Sequence, residues 1–375
     1  MKVVVSGYVG KKITGIGRNL ISLLENSSSN NEYIIYTNMD MAESFANISG
    51  NVIVKTYNVS KNSSIGNLLW TTFIFPFMVL KENADIGLIP NFTLLLMKFR
   101  PTVVIMHDLI EFNIPNKFSK IKMFYRTRLA DPITAWLADK IITVSINSKK
   151  DIVNFLGVKE SKIDVVYNGV NREKFKRASA DECERLLSKR EWPHDFILYA
   201  GTIDHPGKNI MGVVRAYEEL RSKEEYHGSL ILAGMPGSGS DVVKEYIESS
   251  KYRKDIYLTG YVSDEELIAL YSSCDVFVFL SLYEGFGIPP LEALACGAPV
   301  IVSNTSSLPE VVGEVGGKVD PKKHDEICSM IRKFLNEEIF LKNNSSRISK
   351  HLDKYNWKNI SIKFEKILEG VITYR

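Results

Sequence analysis

The sequence predicts an α/β protein of two domains, built from parallel strands that alternate with helices. Three observations predict it. The chain has 375 residues, too many for one typical domain and well matched to two. Short, unbroken apolar runs such as Val3-Val4-Val5 and Val276–Leu280 recur along it, the pattern of strands buried on both faces. Helical segments follow these runs, with glycine-bearing turns at the handover, where open α/β sheets hold their ligands. At 45% hydrophobic and 24% charged, the composition is that of a soluble globular protein with ample core.

In the first half, Lys2–Ser6 reads as a strand, Gly7 to Gly17 as a glycine-rich loop and Arg18–Glu25 as a helix. Tyr33–Thr37 and Val52–Lys55 read as further strands. Asn67–Leu80 is the most apolar stretch, too short to span a bilayer and interrupted by Pro76. It reads as a buried helix or helix pair, or as a surface that touches a membrane. Asp85–Ile89 and Thr102–Met106 are buried strands, the second delivering His107-Asp108 to a strand end. Lys117–Leu137 is helical, with Lys117, Lys120, Lys122, Arg126 and Arg128 among Phe118, Phe124 and Tyr125 and no acid between Glu111 and Asp131. Such a face suits a membrane surface or an anionic acceptor, or is simply solvated. No nucleic-acid module surrounds it. Lys140–Val144, the helix Asn147–Phe155 and Ile163–Tyr167 complete a first domain of residues 1–176.

Residues 177–194 are charged and lack the period of a buried element, so they read as the crossover into a second domain, residues 177–356. Phe196–Ala200 is a strand ending in Gly201-Thr202, and Lys208-Asn209 opens a helix through Leu220. Leu230–Ala233 and Ile256–Leu258 are strands, the latter followed by Gly260-Tyr261-Val262. The amphipathic helix Asp264–Ser272 leads to the strand Val276–Leu280. The chain then turns through Ser281–Gly287, where Gly285 and Gly287 permit backbone conformations closed to other residues. Pro289 and Pro290 fit a first helical turn, the helix stops at Gly297, and Pro299–Val302 returns as a strand. Leu308–Gly313 reads as a loop, Asp325–Asn336 and Glu338–Lys350 as helices, and Trp357–Ile372 as the last helix.

The amides of Phe286 and Gly287, with the dipole of the short helix Leu291–Cys296, make an anion site for which a diphosphate is the natural guest, and Ile288 is counted with these binding residues. Glu284 and Glu292 flank it. Carboxylates cannot ligate a phosphate but accept hydrogen bonds from vicinal hydroxyls of a ribose or hexose. Taken alone, they are also readable as a capping and a surface glutamate.

The stretch EGFGIPPLEALACGAPVIVSNTSSLPEVVG closely resembles the donor-site motif of the retaining, nucleotide-sugar glycosyltransferases of family 4, which have the GT-B fold. The resemblance implies two Rossmann-like domains facing a cleft, with the C-terminal helix, residues 357–375, crossing back to the first. It implies that Glu284 contacts hydroxyls of the transferred sugar and that Glu292 holds the nucleotide ribose. Lys208 matches the lysine that binds the donor diphosphate. The arginine usual six residues before it is here Thr202, which leaves one positive charge fewer. Gly15 and Gly17 resemble the first glycine loop facing the donor phosphates, Tyr261-Val262 a base-contacting turn, and His107 a histidine near the donor sugar, although it is equally readable as structural. The donor would be a GDP-, UDP- or dTDP-linked sugar, with mannosyl and rhamnosyl transfer favoured by loops such as GTIDHPGKN. A sugar-nucleotide epimerase, a phosphorylase-like enzyme and a non-catalytic carbohydrate-binding relative stand as alternatives.

Residues 1–176 hold 22 Lys and Arg against 14 Asp and Glu, and the remainder 25 against 30. A basic first half directs an anionic partner there, consistent with a glycan or lipid-linked acceptor and peripheral membrane contact. No signal peptide is visible, and Cys183, Cys274, Cys296 and Cys328 are scattered, as in a reduced cytoplasmic protein. No cofactor or metal is expected, since no Asp-x-Asp occurs and a lysine with helix amides can carry diphosphate charge.

Overall fold

The computed structural model describes residues 1–7, 15–28, 30–48, 50–57, 64–91, 93–114, 118–336 and 339–373. The chain forms two compact units, Met1–Gly169 with Trp357–Arg375, and Val170–Asn356. In the first unit β1 (Lys2–Ser6), β2 (Glu32–Thr37), β3 (Val52–Thr56), β4 (Ile86–Ile89), β5 (Thr102–Ile105), β6 (Lys140–Thr143) and β7 (Ile163–Val165) make one sheet, ordered β3-β2-β1-β4-β5-β6-β7. Every pairing is parallel. Successive side chains of a strand point to opposite faces, and Val3 and Val5 accordingly join one core cluster while Val4 joins the other. A sheet covered on both faces requires the continuous apolar runs that the sequence shows.

The helix Trp357–Thr373 closes one of those faces. Phe364 and Leu368 are fully buried in the cluster of Val3, Val5 and Leu20. Ser361 donates a hydrogen bond of 2.9 Å to the Leu23 carbonyl. The Glu365 carboxylate accepts from Asn31 Nδ2 (2.6 Å), the Ser28 amide (3.0 Å) and the Tyr33 hydroxyl (3.3 Å). The Trp357 indole lies against Gly169, where a Cβ would come within 2.6 Å of the ring. The last segment of the chain is thus an integral part of the first unit.

Asn67–Leu80 lies within three consecutive helical pieces, Ser64–Leu69, a π-turn at Trp70–Ile74 and Phe75–Lys81. Pro76 lacks an N–H and crowds the preceding turn, which widens to accommodate it. Trp70 is fully buried and donates to Ser6 Oγ at 3.1 Å, while Leu69, Phe73, Phe77 and Leu80 are exposed. The buried-helix reading holds for the face that carries Trp70, and the opposite face leaves apolar side chains exposed. The same device recurs in Lys120–Phe124, a π-turn at Tyr125–Ala130 and Asp131–Leu137, with Pro132 opening the last piece.

In the second unit β8 (Phe196–Ala200), β9 (Ser229–Ala233), β10 (Ile256–Gly260), β11 (Val276–Phe279), β12 (Val300–Ser303) and β13 (Gly317–Val319) form a parallel sheet ordered β10-β9-β8-β11-β12-β13. Three features depart from the sequence reading. Residues 180–189 form a capped helix that buries Cys183, Leu186 and Leu187, three apolar residues at helical spacing hidden among charges. Leu308–Val312 is a short helix rather than a loop, with a proline in its first turn. Met39–Ala46 and Ser240–Ser249 are helices that the sequence reading passed over, each burying only two side chains.

Phe364→Ala should destabilise the first unit by about 3–5 kcal/mol, the usual cost of deleting a fully buried aromatic ring. Denaturant titration of the whole chain measures it. A loss below about 1 kcal/mol would mean that the returning helix contributes little to this core.

Candidate active site

The winding of the second sheet reverses at β8. From there the chain runs outward through β9 to β10, then returns to lay β11 on the other side of β8 and continues through β12 to β13. The loops leaving adjacent strands that lead to opposite directions diverge, and the crevice between them is where open α/β sheets bind ligands. Lys208 follows β8 and Glu284 follows β11, so 76 residues of sequence separate side chains that the sheet brings together. The Lys208 ammonium is ion-paired with Glu284 Oε1, with both side chains largely buried. It also lies 5.5 Å from the centre of the Phe279 ring, close enough for a cation–π contribution.

Each loop is held rigidly. The rings of Tyr199 (β8) and Phe279 (β11) stack at 5.7 Å and 7°, and the Tyr199 hydroxyl donates to the Thr202 carbonyl at 2.9 Å. Burial, reinforced by the Glu284 and Asp204 carboxylates, drives the Tyr199 phenol well above its ordinary pKa, so it remains a neutral donor. The Leu282 amide donates to the Gly207 carbonyl at 2.9 Å, joining the two loops directly. Asn209 takes a left-handed conformation, φ 50°, and its side chain donates to the Pro321 carbonyl at 2.9 Å. It stands at the N-terminal boundary of the helix Ile210–Ser222, which starts two residues later than its expected beginning at Lys208. Lys208 therefore belongs to the loop.

The turn Ser281–Gly287 is pinned by residues that sequence reasoning did not single out. The Glu284 amide donates to Ser306 Oγ at 3.0 Å. The Ser307 hydroxyl lies between the carbonyls of Glu284 (3.0 Å) and Phe286 (2.5 Å). Thr305 Oγ1 is 3.1 Å from the Leu282 carbonyl. Three small hydroxyl residues after a strand are a common pattern, and only the fold reveals what they hold. Gly287 has φ 117°, and a Cβ there would lie 2.7 Å from Leu308 Cδ2. The helix runs Ile288–Ala295, with Pro289 and Pro290 at its second and third positions. Neither proline carries an N–H, so the first turn offers the Ile288 amide, with Gly287 just before it.

Glu292 sits half-buried in the second turn of that helix, where its charge, after burial, helps push the Cys296 thiol up to about 12. Thr202 lies in the β8 loop, and Gly285 and Phe286 lie in the pinned turn. Tyr261 and Val262 follow β10, with Tyr261 70% exposed. Gly15 and Gly17 open the first unit's helix Gly15–Glu25.

Also in the first unit, His107 follows β5 and is buried, with Nε2 3.2 Å from the Pro90 carbonyl. Burial lowers its pKa to about 4, so the imidazole is neutral at pH 7. Of the basic residues, Lys117 lies outside the described residues, and Lys120, Lys122 and Arg128 are exposed. Arg126 turns inward, its Nε 2.9 Å from Oε1 of the fully buried Glu111. Next to this pair, burial and the Glu111 carboxylate push the Asp131 carboxyl up to about 9.

Two Rossmann-like parallel sheets and a returning C-terminal helix are the features of the GT-B fold. The comparisons with known proteins agree. Residues 13–174 match the model of glycosyltransferase family 4, and residues 188–355 that of glycosyl transferases group 1. The chain is 33% identical to the O-antigen chain mannosyltransferase B of Escherichia coli over 72% of its own length and 70% of that protein's. It is 26% identical to the O-antigen chain mannosyltransferase RfbU of Salmonella typhimurium over 81% and 80%. The serotype-specific mannosyltransferase WbdA of E. coli is 30% identical, but the match spans only 32% of that protein. Among solved structures, Anabaena HepE in complex with UDP superposes with a TM-score of 0.77 at 18% identity, covering 99% and 100% of the two chains. A glycosyltransferase from Rickettsia africae gives 0.76 at 18%, covering 99% and 98%. The chain belongs to glycosyltransferase family 4, the group 1 glycosyltransferases, whose members are retaining hexosyltransferases.

The depressed pKa of His107 has a consequence for stability. Its imidazole titrates near 4 when folded and near 6.5 when unfolded, so only the unfolded chain gains a proton between those values. The stability that the neutral ring allows is complete above pH 6.5 and is lost as the pH falls towards 4, by at most about 3 kcal/mol. Subtracting the stability profile of His107→Gln from that of the wild type isolates this slope from other groups, and parallel profiles would contradict it.

Proposed function

We propose that the chain transfers a mannosyl residue, with retention of configuration, from a nucleoside diphosphate sugar to a lipid-linked glycan acceptor in surface polysaccharide synthesis. The observation that carries the donor side is the Lys208–Glu284 ion pair at the carboxyl ends of β8 and β11. A lone ammonium in a half-buried crevice is costly, and the carboxylate compensates it while the donor is absent. An arriving diphosphate is the stronger partner for a cation and takes Lys208, which neutralises the leaving group. The released Glu284 carboxylate then accepts hydrogen bonds from the sugar hydroxyls, and Glu292 holds the ribose. The Gly287 and Ile288 amides share the phosphate charge, and Thr202 supplies no cation, so Lys208 carries more of the load than it would beside an arginine. His107, being neutral, acts through hydrogen bonding rather than as a charge. The mannosyl preference is supported by the O-antigen mannosyltransferases among the relatives.

For the acceptor, the first unit offers an apolar surface bordered by cations. Leu69, Phe73, Phe77 and Leu80 are exposed on one amphipathic segment, and Ile121, Phe124 and Leu129 on the other, which also carries Lys120, Lys122 and Arg128. No described helix is long and apolar enough to cross a membrane. Such a surface suits a lipid-linked, anionic acceptor approached at the membrane face.

Lys208→Ala should lower turnover by on the order of a hundredfold, the cost of about 3 kcal/mol of transition-state charge stabilisation, and should weaken nucleoside diphosphate binding. Glu284→Gln should lower turnover yet bind the free diphosphate at least as tightly, because Lys208 is no longer engaged. Glu292→Gln should weaken both free nucleotide and nucleotide sugar. Calorimetry and initial rates on the three variants decide it, and equal loss of diphosphate binding in Glu284→Gln and Lys208→Ala would overturn the roles. At the acceptor face, each of Lys120, Lys122 and Arg128 should contribute about 1 kcal/mol to binding anionic vesicles. Pelleting with such vesicles should fall at high salt and in the triple glutamine variant, and salt-independent or absent pelleting would point to an acceptor in solution.

A further inference from the structure

Outside this constellation, the helices Ile210–Ser222 and His324–Asn336 pack against each other and converge three metal-ligating side chains. His324 and Cys328 are four residues apart and share one helix face. Glu219 faces them from the other helix. Glu219 Oε2 is 2.7 Å from His324 Nε2, Cys328 Sγ is 3.6 Å from the same nitrogen, and all three ligand atoms lie within 4.8 Å of one another. In a tetrahedral zinc site, bonds of about 2.0 Å to nitrogen or oxygen and about 2.3 Å to sulfur hold the ligand atoms roughly 3.3–3.7 Å apart. The nitrogen–sulfur spacing already meets that requirement, and a small swing of the Glu219 carboxylate meets the rest.

The surroundings present the atoms suitably. Lys223 Nζ holds the other carboxylate oxygen, Oε1, at 2.6 Å, which leaves Oε2 directed at the histidine. Cys328 is buried on the inner side, while the His324 side chain is 40% exposed, so a fourth position opens to solvent. His324 also lines a cavity of about 760 Å³ together with His205, Asn209 and Arg215, which offers an approach for an ion. A thiolate, an imidazole and one carboxylate select zinc and its borderline-soft neighbours over magnesium or calcium, which prefer all-oxygen ligands.

We propose that Glu219, His324 and Cys328 form a zinc site on the second unit, three-coordinate from the protein and completed by water. Cys328 binds as the thiolate, and its proton leaves to solvent as the metal enters.

The test uses the full chain, tag-free and stripped of metal, titrated with Zn2+ against a chromophoric chelator and separately with Co2+. The expected result is one equivalent of tightly held Zn2+, and a cobalt form with thiolate-to-metal charge-transfer absorption. Cys328→Ser should abolish that absorption, and both it and His324→Gln should weaken Zn2+ by more than the roughly 10–100-fold that a lost supporting contact costs. His324→Gln alters a half-exposed side chain and keeps the test valid should Cys328→Ser fold poorly. Absence of stoichiometric binding, or Zn2+ affinity unchanged in His324→Gln, would overturn the proposal.

Discussion

Parallel strands deliver all their following loops to one edge of a sheet, and a reversal of winding parts those loops at a single place. The second unit depends on that constraint. Because β8 lies between β9 and β11, the segments leaving β8 and β11 diverge from neighbouring points, and their side chains meet across the gap. The Lys208–Glu284 pair is the chemical result. Each charge compensates the other in a half-buried crevice, and in the proposed role an arriving donor would exchange these ionic partners.

The rigidity around the pair has a definite source. The Glu284 turn is fastened by Ser306 and Ser307, the Lys208 loop by Asn209 on Pro321, and the two loops are joined by the Leu282–Gly207 hydrogen bond. A preorganised site spends little free energy on reorganising when charge develops on the leaving group. The prolines after Gly287 fix the start of the helix Ile288–Ala295 while withholding two amides from the anion. With Thr202 offering no charge, the proposed diphosphate site has Lys208 and the amides of Gly287 and Ile288 as its donors.

The first unit solves a different problem with one device used twice. In both Ser64–Lys81 and Lys120–Leu137 a π-turn precedes a proline, and both segments bury one side while leaving apolar side chains in solvent. Beneath the second segment Arg126 is drawn to the buried Glu111, beside an Asp131 that favours its protonated form. An arginine in that place compensates buried carboxyl groups, so among the described residues the basic character of the outer face rests on Lys120, Lys122 and Arg128.

Much of this was legible in the sequence. Unbroken apolar runs announced the parallel strands because a strand covered on both faces needs apolar residues at every position. Glycines and prolines announced the turn and helix start after β11, because those backbone conformations demand them. The motif around Glu284 and Glu292 pointed to the family on local residues alone. The helix Ala180–Lys189 was missed because only three of its residues are buried, too few to stand out among charges. The pairing of Lys208 with Glu284, the hydroxyl clasp of Thr305, Ser306 and Ser307, and the inward turn of Arg126 could not be read there. Each joins residues distant along the chain, and no local pattern records a partner. Strand order decides which loops become neighbours, and strand order is settled by the packing of the whole sheet.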